Sequence, residues 1–262
     1  MGKNLTSPNY CVLIPTYNND KTLENVILSV LEYTKNVIVV NDGSTDNTER
    51  ILERYRDKIA IVSYPKNQGK GAALRRGFKK AEALGYEYAI TLDADGQHLA
   101  SEIPKFLEKV QPGQDILIIG NRDMSHENIP AKSKFGRKFS NFWVKLETNR
   151  DIMDTQSGYR LYTVAKVNRF HFFTKRYDFE LESLVRWLWR DYPVEIISIG
   201  VYYPPPEERV SHFNGFKDNV RISLLNIVLV LVTVSYIIPR RFIRFVADTF
   251  KKALRFAMLL TM

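Results

Sequence analysis

The feature of this 262-residue sequence that most constrains its fold is an alternation. Short runs of β-branched and apolar residues trade places with stretches of helical spacing, and the β-α-β-α pattern repeats four times before residue 121. Tyr10 to Pro15, Val37 to Val40, Ile59 to Tyr64, Tyr88 to Leu92 and Asp115 to Gly120 read as strands. Between them, Lys21 to Tyr33, residues 45 to 56, Gly69 to Leu84 and Ser101 to Val110 read as helices. Leu23, Val26, Ile27, Val30 and Leu31 share one face of the first of these. Ser44 or Thr45 is placed to cap the second, with Asp46 and Glu49 in its first turn. This order, with connections this short, specifies an α/β fold: a mostly parallel, doubly wound sheet with flanking helices. Such sheets bind ligands beyond the carboxyl ends of their strands.

The fourth strand end carries the most chemistry. Tyr88-Ala-Ile-Thr-Leu92 runs directly into Asp93-Ala94-Asp95-Gly96-Gln97-His98. Two carboxylates and an amide oxygen are hard ligands that suit Mg²⁺ or Mn²⁺, above all when a diphosphate completes the shell. A lone pair of aspartates at this spacing is more often a solvated acidic turn, so the other strand ends decide. Asp42 follows the second strand, where it can accept hydrogen bonds from a base N–H. Pro15 and Tyr17 follow the first, with the Tyr ring available for stacking. The Gln68-Gly69-Lys70-Gly71 turn can approach a nucleotide closely because glycine lacks Cβ. It is not a phosphate-binding loop of the ATPase type, because Lys70 precedes Gly rather than Ser or Thr.

Beyond Asn121 the pattern changes. Residues 122 to 140 carry Arg122, Lys132, Lys134, Arg137 and Lys138 with few apolar anchors and read as a loop entering a helix, which Phe142 to Glu147 continues. Asp154 to Tyr162 reads as a polar turn feeding a short strand, Phe179 to Arg190 as a helix, and Val194 to Val201 as a last strand before Pro204-Pro205-Pro206. Cys11, the only cysteine, lies in an apolar run and reads as a buried structural thiol. The N-terminus lacks the apolar core of a signal peptide. Ile222 to Ile238 is uncharged over 17 residues, and Pro239-Arg240-Arg241 interrupts it. Residues 240 to 262 then mix Arg and Lys with Phe, Val and Leu, the composition of a basic amphipathic helix on an anionic membrane surface. The net charge of +9 likewise points to anionic partners, but nothing resembles a nucleic-acid-binding module.

Read in order, Pro15-Thr16-Tyr17-Asn18, Asn41-Asp42-Gly43-Ser44-Thr45-Asp46, Asn67-Gln68-Gly69-Lys70-Gly71 and Asp93-Ala94-Asp95-Gly96-Gln97-His98 resemble the family-2 inverting glycosyltransferases of GT-A fold. Within that family they look most like the polyprenyl-phosphate sugar synthases that make dolichol-phosphate mannose or glucose. The resemblance extends through Gly120-Asn121-Arg122, Asp154 to Tyr162 and Arg209-Val210-Ser211-His212, roughly residues 9 to 217. It implies metal-dependent transfer of a hexose from GDP-mannose or UDP-glucose to a polyprenyl phosphate at the cytoplasmic face of a membrane. Asp93, Asp95 and Gln97 would hold Mg²⁺ or Mn²⁺, with His98 in a supporting role. Pro15, Tyr17, Asp42, Gly69, Lys70 and Asp93 would hold the nucleotide-sugar. Arg122, Arg137, Lys138, Arg209 and Ser211 would bind the acceptor phosphate, Arg209 also assisting catalysis together with Asp93 and Asp95. Asp154 is either a catalytic base or a residue that orients the acceptor loop.

The expected organisation is a glycosyltransferase domain over residues 1–217 and membrane-associating helices over 218–262. Two other readings stay open from sequence. The same fold could glycosylate a hydroxyl of a glycan or glycolipid, with Asp154 as an essential base, or the chain could be a non-catalytic, basic protein bound at a membrane surface.

Overall fold

The computed structural model describes residues 8–111, 113–123, 131–203 and 215–260. Among them, strands β1 (Tyr10–Thr16), β2 (Val37–Asn41), β3 (Ala60–Ser63), β4 (Tyr88–Thr91), β5 (Leu117–Arg122), β6 (Arg160–Thr163) and β7 (Val194–Ile199) form one sheet in the order β3-β2-β1-β4-β6-β5-β7. Helices α1 (Leu23–Leu31), α2 (Thr48–Glu53), α3 (Lys70–Ala83) and α4 (Ile103–Leu107) connect the first five strands. The central strands are buried on both faces, as their near-continuous apolar sequences require, while the edge strands β3 and β7 are partly exposed. Alternate β1 residues point to opposite sides: Val12 and Ile14 pack in the layer with α1 and α2, Cys11 and Leu13 in the layer with α3. Burial pushes the Cys11 thiol up to about 12, which leaves it unreactive.

The expectation of parallel pairing holds for β3-β2-β1-β4 and for β5-β7, but β6 enters between β4 and β5 antiparallel to both. The reason is where the chain re-enters. Helix α5 (Ala131–Thr148) and the loop after it return the chain to the carboxyl end of β4, where Arg160 pairs with Thr91. A strand starting there can only run back the other way. The short α6 (Val164–Val167) and α7 (Phe179–Leu188) then lead to β7.

Two local expectations change. Ser44 and Thr45 do not cap α2; Asp46 Oδ1 accepts the Thr48 N–H at 3.0 Å instead. Ser44 and Thr45 tie two strand-end loops together, the Asn18 N–H donating to Ser44 Oγ at 3.0 Å and the Thr45 N–H to Asn18 Oδ1 at 2.7 Å. Nor does Pro239 end the C-terminal helix. Helix α8 (Gly215–Val232) continues through a π turn (Thr233–Ile237) into α9 (Ile238–Leu260). Proline lacks an N–H and crowds the carbonyl one turn earlier; a π turn before it widens the helix there and lets it continue.

Along this long helix, Asp218, Leu225, Asn226, Leu229, Thr233 and Ile237 form one buried stripe, which faces the α5–α7 side of the sheet. Thr233 Oγ1 donates to Glu147 O at 3.1 Å, and Arg241 Nη2 donates to Asp191 Oδ1 at 2.6 Å, so the stripe is fastened at both ends of its second half. Leu224, Ile227, Leu231, Val234 and Ile238 are exposed on the rest of the helix.

Glu147 of α5 is buried in this helix layer, and neither carboxylate oxygen has a hydrogen-bond partner. Burial pushes its carboxyl up to about 8. The unfolded chain releases this proton near 4.5, whereas the folded chain keeps it to about 8. The Glu147 contribution is therefore complete below pH 4.5 and is lost as pH rises through 8. Glu147→Gln should melt several degrees above the parent at pH 8.5 and within about 2 °C of it at pH 4.5, read by circular dichroism in matched buffers. Parallel melting curves at both values would mean that this carboxyl is not buried in solution.

Candidate active site

The ends of β1, β2 and β4 open onto one cleft of about 300 Å³, lined by Pro15, Tyr17, Asp42, Gly69, Lys70, Asp93, Asp95 and Gln97 together with Asn19, Asn67, Arg176 and Tyr177. Parallel strands end at the same edge, so residues far apart in sequence meet there. Asp42 holds the far wall: its Oδ1 accepts the Gln68 N–H and its Oδ2 the Gly69 N–H, both at 2.7 Å. Each oxygen has a second lone pair, so the residue keeps acceptor capacity toward the cleft. Gly69 has φ +101°, and a Cβ there would stand 2.5 Å from Lys175 O. Only glycine fits that turn, which delivers Lys70 to the cleft at the start of α3.

Lys70 Nζ lies 2.7 Å from Asp93 Oδ1 and 2.7 Å from Glu180 Oε1. Two carboxylates hold the ammonium in its charged form against the cost of burial and raise its pKa well above the usual lysine value. Burial opposes the Asp93 charge, but Lys70 outweighs it and keeps that carboxyl below its ordinary range. Asp95 is in the opposite condition: burial and the neighbouring Asp93 charge push it up to about 6. Its Oδ1 accepts the Gln97 N–H at 3.0 Å. His98 supports the loop, its Nδ1 accepting the Asp93 N–H at 3.1 Å and its ring packing on Tyr159. Burial lowers the imidazole to about 4, which keeps it neutral in this accepting role. The Tyr202 N–H donates to Gln97 O at 2.9 Å and fastens the loop to the chain after β7.

Two carboxylates whose mutual repulsion raises the proton affinity of one form a set that a divalent cation would relieve. Among the described residues no three His, Cys, Asp or Glu side chains gather around one point. Asp93, Asp95 and Gln97 line the same cleft, and two carboxylates with an amide oxygen, joined by ligand oxygens, are a hard donor set that would suit Mg²⁺ or Mn²⁺.

A second hollow of about 370 Å³ is lined by Asn121, Arg122, Asp123, Lys134, Arg137, Lys138 and Asn141. Arg122 links the two, since its charge helps lower Asp93. Its guanidinium grips Asp154 in a fork, Nε to Oδ2 at 2.8 Å and Nη2 to Oδ1 at 2.9 Å. Asp154 is fully buried. Burial favours its neutral form, but the Arg122 hydrogen bonds and charge prevail and hold it ionised below the usual range. Arg137 donates to Met153 O, Arg122 O and Asn121 Oδ1 at 2.7, 3.0 and 2.6 Å, which frames the hollow. Lys138 stands exposed at its rim. Arg209 and Ser211 lie outside the described residues.

Sequence reasoning missed Glu180, Arg176, Tyr177 and Gly158. A Cβ on Gly158 would stand 2.8 Å from Lys70 Nζ and 3.1 Å from Asp93 Oδ2, so that glycine makes room for the ion pair. Glu180 left one signal: an acidic residue between Phe179 and Leu181 on a helix whose first turns are wholly buried.

A family model described as Glycosyl transferase family 2 matches residues 11–173. The UDP-N-acetylglucosamine–dolichyl-phosphate N-acetylglucosaminyltransferase of Methanococcus voltae is 30% identical over 195 residues, 66% of this chain and 78% of that protein. The polyprenol monophosphomannose synthase of Mycolicibacterium smegmatis is 26% identical over 228 residues, 82% of this chain and 84% of that one. Among solved structures, glucosyl-3-phosphoglycerate synthase from Mycobacterium tuberculosis, in complex with Mn²⁺, UDP-glucose and phosphoglyceric acid, aligns with a TM-score of 0.65 at 19% identity, over 86% of this chain and 79% of that one. This last is a likeness of fold.

The Arg122–Asp154 fork makes a stability prediction. Arg122→Gln leaves a buried carboxylate with only the Arg137 guanidinium, 4.0 Å away and not hydrogen-bonded to it, as counter-charge, so unfolding free energy should fall by about 3 kcal/mol, measured by denaturant titration. A loss below about 1 kcal/mol would show the pair to be solvated.

Proposed function

Because the chain belongs to glycosyl transferase family 2, we propose that it transfers a hexose, with inversion, from a nucleotide-sugar to a polyprenyl phosphate at a membrane surface. The observation that carries this reading is a pair of unlike hollows coupled electrostatically through Arg122 and Asp93. One is walled by carboxylates and a glycine-lysine turn, the other by Arg122, Lys134, Arg137 and Lys138. The first suits a nucleoside diphosphate with a cation, with Tyr17, Pro15 and Asp42 around the base. The second suits an anionic acceptor, because guanidinium and ammonium groups offset the repulsion between two phosphorylated substrates.

In the proposed reaction an acceptor phosphate oxygen attacks the anomeric carbon. The bond from that carbon to the diphosphate oxygen breaks, and the nucleoside diphosphate leaves with the electron pair. The attacking phosphate is already ionised, so no residue has to remove a proton. Asp154 suits this scheme as the residue that orients Arg122; a buried, ion-paired carboxylate held ionised is a poor general base. That favours a phosphate acceptor over a hydroxyl one. A divalent cation held by Asp93, Asp95 and Gln97 would offset charge on the leaving diphosphate. Lys70 adds a fixed positive charge beside it.

The C-terminal helix supplies the membrane part of the reading. Lys217–Thr249 is long and apolar enough to cross a bilayer, with mean hydropathy 2.3 in its most apolar window. Its buried stripe nevertheless lies against the folded domain from Leu225 to Arg241, about 24 Å of helix. A helix fastened lengthwise to a polar domain favours an in-plane position, with its outer apolar face in the interface. Helix α5 packs beside it and exposes Phe135, Phe139, Phe142 and Leu146 in a single row. Lys134 and Lys138, on the same helix, line the second hollow, which supports a phosphate site near the lipid surface.

Purified protein with Mg²⁺ or Mn²⁺ should move radiolabel from one of GDP-mannose, UDP-glucose or UDP-N-acetylglucosamine into an organic-extractable, mild-acid-labile product when polyprenyl phosphate is supplied. Asp95→Asn should lower that rate about 100-fold or more with an unchanged melting curve. Label found only in acid-stable glycan would replace the phosphate acceptor with a hydroxyl one. Independently, changing Phe135 and Phe142 together to Ser should reduce co-flotation with anionic vesicles about tenfold, the loss of two anchoring rings. Undiminished flotation would remove α5 from the membrane face.

A further inference from the structure

Glu180 has no part in the reaction described above, yet it is the group that shares Lys70 with Asp93. Three elements meet at this ammonium: the start of α3 with Lys70, the end of β4 with Asp93, and the first turn of α7 with Glu180. Nζ stands 2.7 Å from one oxygen of each carboxylate. Glu180 is almost fully buried, and its second oxygen, Oε2, has no hydrogen-bond partner. A buried carboxylate that lacks a partner costs free energy, although the α7 N-terminus offsets part of it. The Lys70 side chain has Gly158 directly beneath it, where even a methyl group would collide with Nζ. The ammonium thus has two places to rest. One is the observed bridge between Asp93 and Glu180; the other is on Glu180 alone, where Oε2 supplies the acceptor given up at Asp93.

We propose that Glu180 is a positioning residue: it retains the Lys70 ammonium when a divalent cation takes Asp93, so that Lys70 stays in the cleft as a counter-charge for the donor diphosphate. This inference rests on the metal-dependent reading above. An ammonium and a divalent cation drawn to one carboxylate repel each other. Without Glu180, Asp93 is the ion-pair partner left to Lys70 among the described residues, and Lys70 competes with the cation for it. With Glu180, it releases Asp93 without losing its counter-charge.

The test measures Mn²⁺ binding to the full chain without donor, read from the electron paramagnetic resonance signal of the free ion. Glu180→Gln should weaken binding about tenfold, and Lys70→Met should tighten it. In the Lys70→Met background, adding Glu180→Gln should change Mn²⁺ affinity by no more than about twofold, because the effect acts through Lys70. An equal weakening in both backgrounds would reduce Glu180 to a general source of negative charge and overturn the proposal. Glu180→Asp gives a second route that does not depend on Lys70→Met folding. It keeps the charge but shortens the reach by one methylene, so weakened Mn²⁺ binding supports positioning and parental binding overturns it. A parent protein that binds no Mn²⁺ removes the metal reading and this inference together; a parent that binds it, with Glu180→Gln unchanged, removes this inference alone.

Discussion

The geometry of the cleft depends on a buried arginine that pairs with no carboxylate among the described residues. Arg160, at the start of β6, is fully buried. Its guanidinium donates to the carbonyls of Ser157, Thr155 and Glu180, each at 2.7 Å, and to Tyr162 Oη at 3.2 Å. Carbonyl dipoles take the place of water around this charge, which a core could not otherwise hold. The consequence is positional. The turn that carries Asp154 and Gly158 is drawn onto the first turn of α7, which carries Glu180. One cation therefore places the residue under Arg122, the glycine under the Lys70–Asp93 pair, and the second carboxylate on Lys70.

Around that frame, charges fall into two linked groups with different tasks. In the first, Lys70 stabilises Asp93 as an anion while Asp93 raises the proton affinity of Asp95. The arrangement leaves negative charge that one ammonium only partly offsets. In the second, Asp154 is consumed by Arg122, and Arg137 is occupied with backbone and amide oxygens. The result is a rigid cationic floor, in contrast to the exposed Lys138 at the rim. Helix α5 joins this floor to the exterior, since its cations line the hollow while its aromatic row points outward.

Much of the sheet was legible because strands buried on both faces must be apolar throughout, and each ends at a polar break. Tyr88 to Leu92 followed by Asp93 is the clearest case. The antiparallel β6 was not legible as such, because four residues, Arg160 to Thr163, carry no mark of direction. Direction was decided by where α5 and its loop left the chain. Pro239 misled for a related reason: its local effect on a helix is strong, but packing of Leu229, Thr233 and Ile237 before it and the Arg241 hydrogen bond to Asp191 after it hold the helix on both sides.

For the site, the sequence by itself determined the chemical inventory and its order: Asp42, the Gly69-Lys70 turn, and Asp93-Ala94-Asp95 with Gln97, each after a strand. Those follow from short-range rules, since a residue's place at a strand end is local. Tertiary structure alone decided which of these groups are already engaged. Asp154 is a polar residue in a turn by sequence, but the fold buries it under Arg122, so its proton affinity falls rather than rises. Glu180 is one more acid on a helix until α7 docks beside α3 and gives it half of Lys70. Ion pairing between residues more than a hundred positions apart depends on distance in space, and no spacing along the chain encodes that.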